Sequence, residues 1–287
     1  MRKNVSIGIQ RDAIALLTDV TYKNEKAWYG EAERSLKLSM YLPKHKERCL
    51  KPMPLLVWLC GGAIQVVDKD VWMPQLIRFA QEGFVVASVA YRTMNDVPLP
   101  CPLIDVKAAI RYLRAHHEQY CIDPHHVFVM GESAGGMLAS LVGTTGDDPR
   151  FEAGDYLDQS SAISAVVDFY GTVDLSKAYE DRRHNLIRGV ECLQKVSGST
   201  VEERVEALKT FSAINYVTPE TPPFMILHGT SDELVDISQS DAMYERLTAN
   251  QVPCEYYRFE GCRHGVDNFY QDEVIGWILS FLRRYCG

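Results

Sequence analysis

The chain has 287 residues, of which 46% are hydrophobic and 24% charged; that length and mixture suit one large soluble domain with a well-buried core. Its formal net charge is −8, which argues against a polyanionic partner such as nucleic acid or an anionic membrane surface. No apolar run reaches the length of a membrane span, and the basic start Met1–Arg2–Lys3 is not followed by the apolar core of a signal peptide.

In chain order, residues 16–23 and 35–42 read as an antiparallel pair. Leu36, Leu38, Met40 and Leu42 alternate with polar residues, and 24–34 reads as the connecting loop. Leu55–Cys60 is a continuous apolar run, the pattern of a strand covered on both faces, and it ends in Gly61–Gly62–Ala63. Helical spacing runs from Val71 to Glu82 and stops at Gly83. Phe84–Ala90 is a further buried strand, Leu103–Tyr120 a long amphipathic helix and Val127–Met130 the next strand. Strands follow at Ile163–Tyr170, Phe224–His228 and Glu255–Phe259, with helices at Ser238–Asn250 and Glu273–Tyr285. This alternation predicts an α/β fold with a mostly parallel central sheet flanked by helices and antiparallel strands at its N-terminus. Residues 172–215 break the rhythm: they are polar, helical in pattern and without a readable strand. They read either as a helical lid inserted at a strand end or as a long connection. No repeat or linker divides the chain, so residues 1–287 are expected to form a single domain.

The strand at Val127–Met130 runs straight into Gly131–Glu132–Ser133–Ala134–Gly135, and a helix follows. Gly-x-Ser-x-Gly between strand and helix is the setting of a nucleophile elbow. The serine sits on a sharp, strained turn, so the positions two residues to either side must be nearly bare. The Ala134 N–H then stands at a helix start, where the dipole favours a developing negative charge. Gly61–Gly62–Ala63, after an early buried strand, supplies further backbone N–H groups, so an oxyanion hole is expected from this stretch together with the Ala134 N–H.

A serine hydroxyl needs a base, and the base needs a carboxylate to orient it. Asp232 lies in the turn after the strand Phe224–His228, and His264 lies in the loop after Glu255–Phe259. His264 is the only histidine after Asp232. Asp168 and Asp174 are rival acids near another strand end, though earlier in the chain than the order serine, acid, histidine places the acid. His228 reads as a structural residue at a strand end. His116, His117, His125 and His126 read as solvated, and Glu132 as structural. The eight cysteines are scattered, with no Cys-x-x-Cys and no zinc spacing. No metal or cofactor is expected, and reduced thiols in a cytoplasmic setting are the default.

Taken together, several stretches resemble one family. They are Cys60–Gly61–Gly62–Ala63, Tyr91–Arg92, Pro102–Leu113, Ile122–Asp123–Pro124, Gly131–Gly136, His228–Asp232 and His264–Gly265. Over about residues 35–285 the chain resembles α/β-hydrolase serine esterases of the hormone-sensitive-lipase-like and bacterial feruloyl or acetyl-xylan esterase-like (BD-FAE-like) kind. The resemblance implies Ser133 as nucleophile, His264 as base, Asp232 as its orienting acid, and the N–H groups of Gly62, Ala63 and Ala134 as the oxyanion hole. It departs at Cys60, where the family carries histidine. A thiol beside the oxyanion donors is expected to be sensitive to alkylation unless it is fully buried.

The reading is a cofactor-independent serine carboxylesterase acting on small soluble esters with short acyl groups, acetyl or feruloyl esters of carbohydrates among them. The charged residues Glu180, Asp181, Arg182, Arg183, Arg188, Glu191 and Lys195 make the 172–215 segment a poor lining for a long alkyl chain. A homodimer is compatible with this reading. A prolyl-oligopeptidase-like peptidase shares the elbow but has proline after the paired glycines, where this chain has Ala63. A non-catalytic ligand-binding relative would have lost the histidine that His264 supplies.

Overall fold

The apolar runs of the sequence become the strands of one sheet in the computed structural model, which describes residues 1–8, 13–26, 32–44, 51–180 and 200–286. The strands are β1 (Ile14–Lys26), β2 (Glu33–Pro43), β3 (Met53–Leu59), β4 (Val85–Val89), β5 (Ile122–Glu132), β6 (Ala165–Phe169), β7 (Phe224–Gly229) and β8 (Cys254–Phe259). Their order is β1-β2-β4-β3-β5-β6-β7-β8. The pairs β1–β2 and β2–β4 are antiparallel, and every later pair is parallel. The helices are α1 (Met73–Gln81), α2 (Cys101–Ala115), α3 (His117–Tyr120), α4 (Ala134–Thr145), α5 (Leu175–Glu180), α6 (Val201–Thr210), α7 (Ser238–Ala249) and α8 (Asp272–Arg283).

Strand side chains alternate between faces, so a strand covered on both sides needs an apolar residue at every position. Leu55, Val57 and Leu59 of β3, with Val127 and Val129 of β5, pack in one core with Leu103 and Ile110 of α2, Met137 and Leu141 of α4, and Met243 and Leu247 of α7. Leu56, Trp58, Phe128 and Met130 point the other way, into a core with Leu76 and Phe79 of α1 and Ile275, Ile278 and Leu282 of α8. Helices on both faces leave the C-terminal edge of the parallel strands open, where ligands bind in such sheets. Strand β5, which carries Ser133 just beyond its end, lies between β3 and β6 inside that sheet.

Three boundaries differ from the sequence pattern. The first hairpin is longer: Asn24, Glu25 and Lys26 pair with Ser35, Arg34 and Glu33. These residues are largely solvent-facing, so no apolar alternation marks them. Strand β5 begins at Ile122 because Met53 and Pro54 of β3 pair with Ile122 and Asp123. The helix expected over Leu103–Tyr120 is two helices broken at His116. The His116 ring Nδ1 lies 2.8 Å from the Tyr112 carbonyl oxygen, which also accepts the His116 backbone N–H.

The 172–215 segment contributes α5 and α6, the latter opened by a capping box in which Thr200 and Glu203 satisfy each other's backbone N–H. Residues 181–199, which carry most of the charges noted above, lie outside the described residues, as do Cys49 and Cys192. Cys121 is disulfide-bonded, whereas Cys60, Cys101, Cys254, Cys262 and Cys286 are free. The expectation of reduced thiols is thus corrected at Cys121. Among the described residues no helix is long and apolar enough to cross a membrane.

Candidate active site

Strand β5 delivers its last residue, Glu132, into a turn in which Ser133 has φ 55° and ψ −119°. That backbone conformation costs a non-glycine residue on the order of 1–3 kcal/mol and persists only where neighbours enforce it. Here the Ser133 N–H donates to the Phe169 carbonyl oxygen at 2.9 Å. A Cβ on Gly135 would overlap the Leu59 carbonyl oxygen, so only glycine lets α4 lie this close to β3. The first backbone bond of α4 runs from Met137 N to Ser133 O at 3.0 Å. The Ala134 N–H precedes that bond and belongs to the open positive end of the helix.

Two further loops meet Ser133. One follows β7 and carries Asp232, and the other follows β8 and carries His264. They are stitched together by bonds from Thr230 N to Phe259 O (2.9 Å), Ser231 N to Cys262 O (3.0 Å) and Gly261 N to Thr230 Oγ1 (2.8 Å). His264 Nε2 stands 2.9 Å from Ser133 Oγ, and His264 Nδ1 stands 2.6 Å from Asp232 Oδ2. The carboxylate calls for the proton on Nδ1, which leaves Nε2 to accept from the serine hydroxyl. Asp232 Oδ1 accepts the backbone N–H groups of Leu234 (2.8 Å) and Val235 (2.9 Å). Burial pushes the Asp232 carboxyl up, but hydrogen bonds from His228, His264 and the Val235 N–H outweigh it and hold the group well below the usual carboxylate range.

The Gly61–Ala63 loop is held at its base. Tyr91 donates its hydroxyl to the Cys60 carbonyl oxygen at 2.7 Å, and the Gly61 N–H donates to Glu132 Oε1 at 2.6 Å. The Trp72 ring N–H reaches the same oxygen at 3.3 Å. Gly62, Ala63 and Ile64 all have positive φ, at 118°, 54° and 56°. A Cβ on Gly62 would overlap the Val66 carbonyl oxygen. Glu132 thus ties the elbow to the glycine loop, a structural role that the sequence suggested only in general terms.

The rival residues have other partners. Asp168 is fully buried and accepts from Ser140 Oγ (2.6 Å) and the Gly171 N–H (2.8 Å), which pins α4 to β6. Asp174 accepts from Ser176 Oγ and the Lys177 N–H at the start of α5. His126 pairs with Asp123 at 2.7 Å, and His116 and His117 turn back on carbonyl groups of α2. Aromatic rings that no sequence pattern pointed to line the His264 side of the site. The Tyr170 ring lies 4.5 Å from that of His264, its hydroxyl is 3.2 Å from that of Tyr270, and Tyr270 stacks on Trp72 at 4.4 Å. These residues are far apart in the chain, and no local pattern marks them.

Cys60 resolves between the two expectations for it. The residue is 2% exposed, and burial pushes its thiol up to about 12. A thiol kept protonated and covered is a poor nucleophile. Iodoacetamide under native conditions is therefore expected to inactivate wild type and Cys60→Ala at the same rate. Selective protection by the substitution would show that the loop opens.

The BD-FAE family model matches residues 38–247 of this chain. Esterase LipC of Mycobacterium tuberculosis (strain ATCC 25618 / H37Rv) is 32% identical over 228 residues, covering 78% of this chain and 56% of LipC. The chain spans about half the length of the curated relatives it matches, LipC, LipM and LipQ. Among solved structures, an acetyl ester-xyloside bifunctional hydrolase from Caldicellulosiruptor lactoaceticus superposes with a TM-score of 0.71 at 25% identity, covering 88% of both chains. The propionate-bound esterase Est2 of Thermogutta terrifontis superposes with a TM-score of 0.74 at 25% identity, covering 93% of both chains.

Proposed function

Because this chain belongs to the BD-FAE family, we propose that it is a serine carboxylesterase in which Ser133, His264 and Asp232 form the catalytic triad. The observation that carries this reading is the unbroken chain of contacts from Ser133 Oγ through both His264 nitrogens to Asp232 Oδ2, at 2.9 and 2.6 Å. Ser133 Oγ attacks the ester carbonyl carbon while His264 Nε2 takes its proton. The carbonyl oxygen becomes an oxyanion facing the N–H groups of Gly62, Ala63 and Ala134. Collapse of the tetrahedral species breaks the ester C–O bond, and His264 passes its proton to the departing alcohol. Water, deprotonated by the same imidazole, then releases the acid from Ser133.

The substrates of this reading are short-chain esters, with acetyl esters of carbohydrates the first class to test. It is supported by the acetyl ester-xyloside hydrolase among the structural relatives and by an esterase relative with propionate or butyrate bound. An apolar acyl tunnel gains about 0.8 kcal/mol for each buried CH₂, so a lipase improves as the acyl chain lengthens. A short pocket reverses that trend. Rates on acetyl, butyryl, octanoyl and palmitoyl esters of one chromogenic alcohol are expected to peak at acetyl to butyryl. A maximum at octanoyl or beyond rejects the short-acyl reading, and a preference for a feruloyl ester over acetyl transfers it to aromatic acyl groups.

A further inference from the structure

The Asp232 carboxylate is contacted by two imidazoles. His228, at the end of β7 and fully buried, places Nε2 at 3.2 Å from Asp232 Oδ2, the same oxygen that meets His264 Nδ1. Nε2 also lies 3.0 Å from the Val235 carbonyl oxygen. Both neighbours of Nε2 are acceptors, so the proton of a neutral His228 must sit on Nε2. The other nitrogen, Nδ1, lies 2.7 Å from Ser240 Oγ on α7, and as the bare nitrogen it accepts the serine hydroxyl. Ser240 is 1% exposed and touches neither Asp232 nor His264 by any hydrogen bond among the described residues.

We infer that His228 is a positioning residue: it turns a second imidazole N–H toward the Asp232 oxygen that receives the His264 proton, with the Ser240 hydroxyl holding the ring from its other nitrogen. The inference rests on the triad reading above. Four N–H groups then face the carboxylate, two from the backbone on Oδ1 and two from imidazoles on Oδ2, the His228 N–H being shared with the Val235 carbonyl oxygen. They oppose its rotation away from His264. They also spread its negative charge, so that it draws the His264 proton less strongly than an undivided carboxylate would. His228 therefore acts on the base from a distance in two ways: it aims the acid, and it moderates the acid's pull.

These two effects predict a signature that a merely space-filling histidine would not give. In His228→Asn the carboxylate keeps its charge but loses one donor on Oδ2. It then holds a protonated imidazole more firmly, and the acid limb of the kcat/KM profile moves to higher pH, by roughly half a unit. The other groups facing this corner are the buried Asp168 toward His228, Tyr170 against the His264 ring, Glu132 beside Ser133, and the exposed Glu233–Arg263 pair. All of them are unchanged in the variant. The rate at optimal pH is expected to fall about tenfold, because the acid is less well aimed.

Ser240→Ala provides the second arm. It leaves Asp232, His228 and His264 in place but removes the hydrogen bond that holds the His228 ring at Nδ1, so the ring is freer to turn its N–H away from Asp232. The acid limb is expected to move in the same direction by a smaller amount. Both variants are to be assayed on a chromogenic acetyl ester, with thermal melting recorded and Ser133→Ala as control. An inactive Ser133→Ala secures the triad separately, so a failure of the inference is distinguishable from a failure of the reading. A folded His228→Asn that loses rate with no movement of its acid limb overturns the inference. If His228→Asn does not fold, Ser240→Ala decides alone: an unmoved limb overturns the inference, and an upward shift supports it.

Discussion

Replacing Ser133 by alanine is expected to lower kcat by on the order of 10⁶, the cost of removing the nucleophile from the same constellation in a protease. The substitution removes one oxygen, which packs against His264 in a residue only 7% exposed. The strained backbone at φ 55° is retained, because the Phe169 carbonyl and the bare Gly135 enforce it from outside the side chain. Melting temperature is therefore expected to stay close to that of the wild type while turnover of a chromogenic acetyl ester disappears. His264→Ala should fall nearly as far, since the members of such a unit fail together rather than additively. Retention of more than about a hundredth of the activity by Ser133→Ala would place the nucleophile elsewhere.

Asp232→Asn carries the next largest effect, about 10⁴ in kcat by comparison with the same change in a related constellation. The reason lies in the donors around the carboxylate. An asparagine has one oxygen and one NH₂ for positions that both receive N–H groups. Placed toward Oδ1, the NH₂ would face the Leu234 and Val235 backbone donors, which cannot change their protons. Placed toward Oδ2, it faces His264, which can. The amide then donates to Nδ1, His264 carries its proton on Nε2, and no lone pair remains to receive the serine proton. Rates near neutral pH measure this loss, and a variant within tenfold of the wild type would remove Asp232 from the triad.

The same substitution changes how stability depends on pH. Asp232 titrates below its unfolded value, so its charge stabilises the fold at all pH values above about 4. That contribution is lost as the pH falls through the lower folded value. Wild type is therefore expected to lose melting temperature more steeply than Asp232→Asn as the pH drops below about 4. Parallel curves for the two proteins would mean that the carboxylate is not held in this way.

The sequence by itself determined the local elements and the chain order of the candidate site residues. Continuous apolar runs such as Leu55–Leu59 can be satisfied only by a strand covered on both faces, and the alternating helices cover it. Gly131 and Gly135 around Ser133 are legible because a sharp turn against β3 admits no side chain, a requirement met within five residues of chain. Asp232 and His264 could be proposed because they follow strands in the right order. Polar segments were less legible. The outer hairpin pairs Glu25 with Arg34 and Lys26 with Glu33 in solvent, where alternation is not required. The break at His116 falls inside a stretch of continuous helical spacing, so no periodicity reports it.

Only the tertiary structure decided which side chains touch. Ser133 and His264 are 131 residues apart and Asp232 and His264 are 32 apart, and their contacts follow from the order β5-β6-β7-β8 in the sheet. The Cys121 disulfide and the burial of Cys60 were also outside the reach of spacing. So was the second imidazole on Asp232. In sequence His228 is one histidine at a strand end, and what sets its proton is the pair of acceptors that meet Nε2, the Val235 carbonyl and Asp232. Periodicity is a property of one segment and its solvent. A hydrogen-bond direction is a property of every group that converges on an atom, and here those groups come from separate loops and helices.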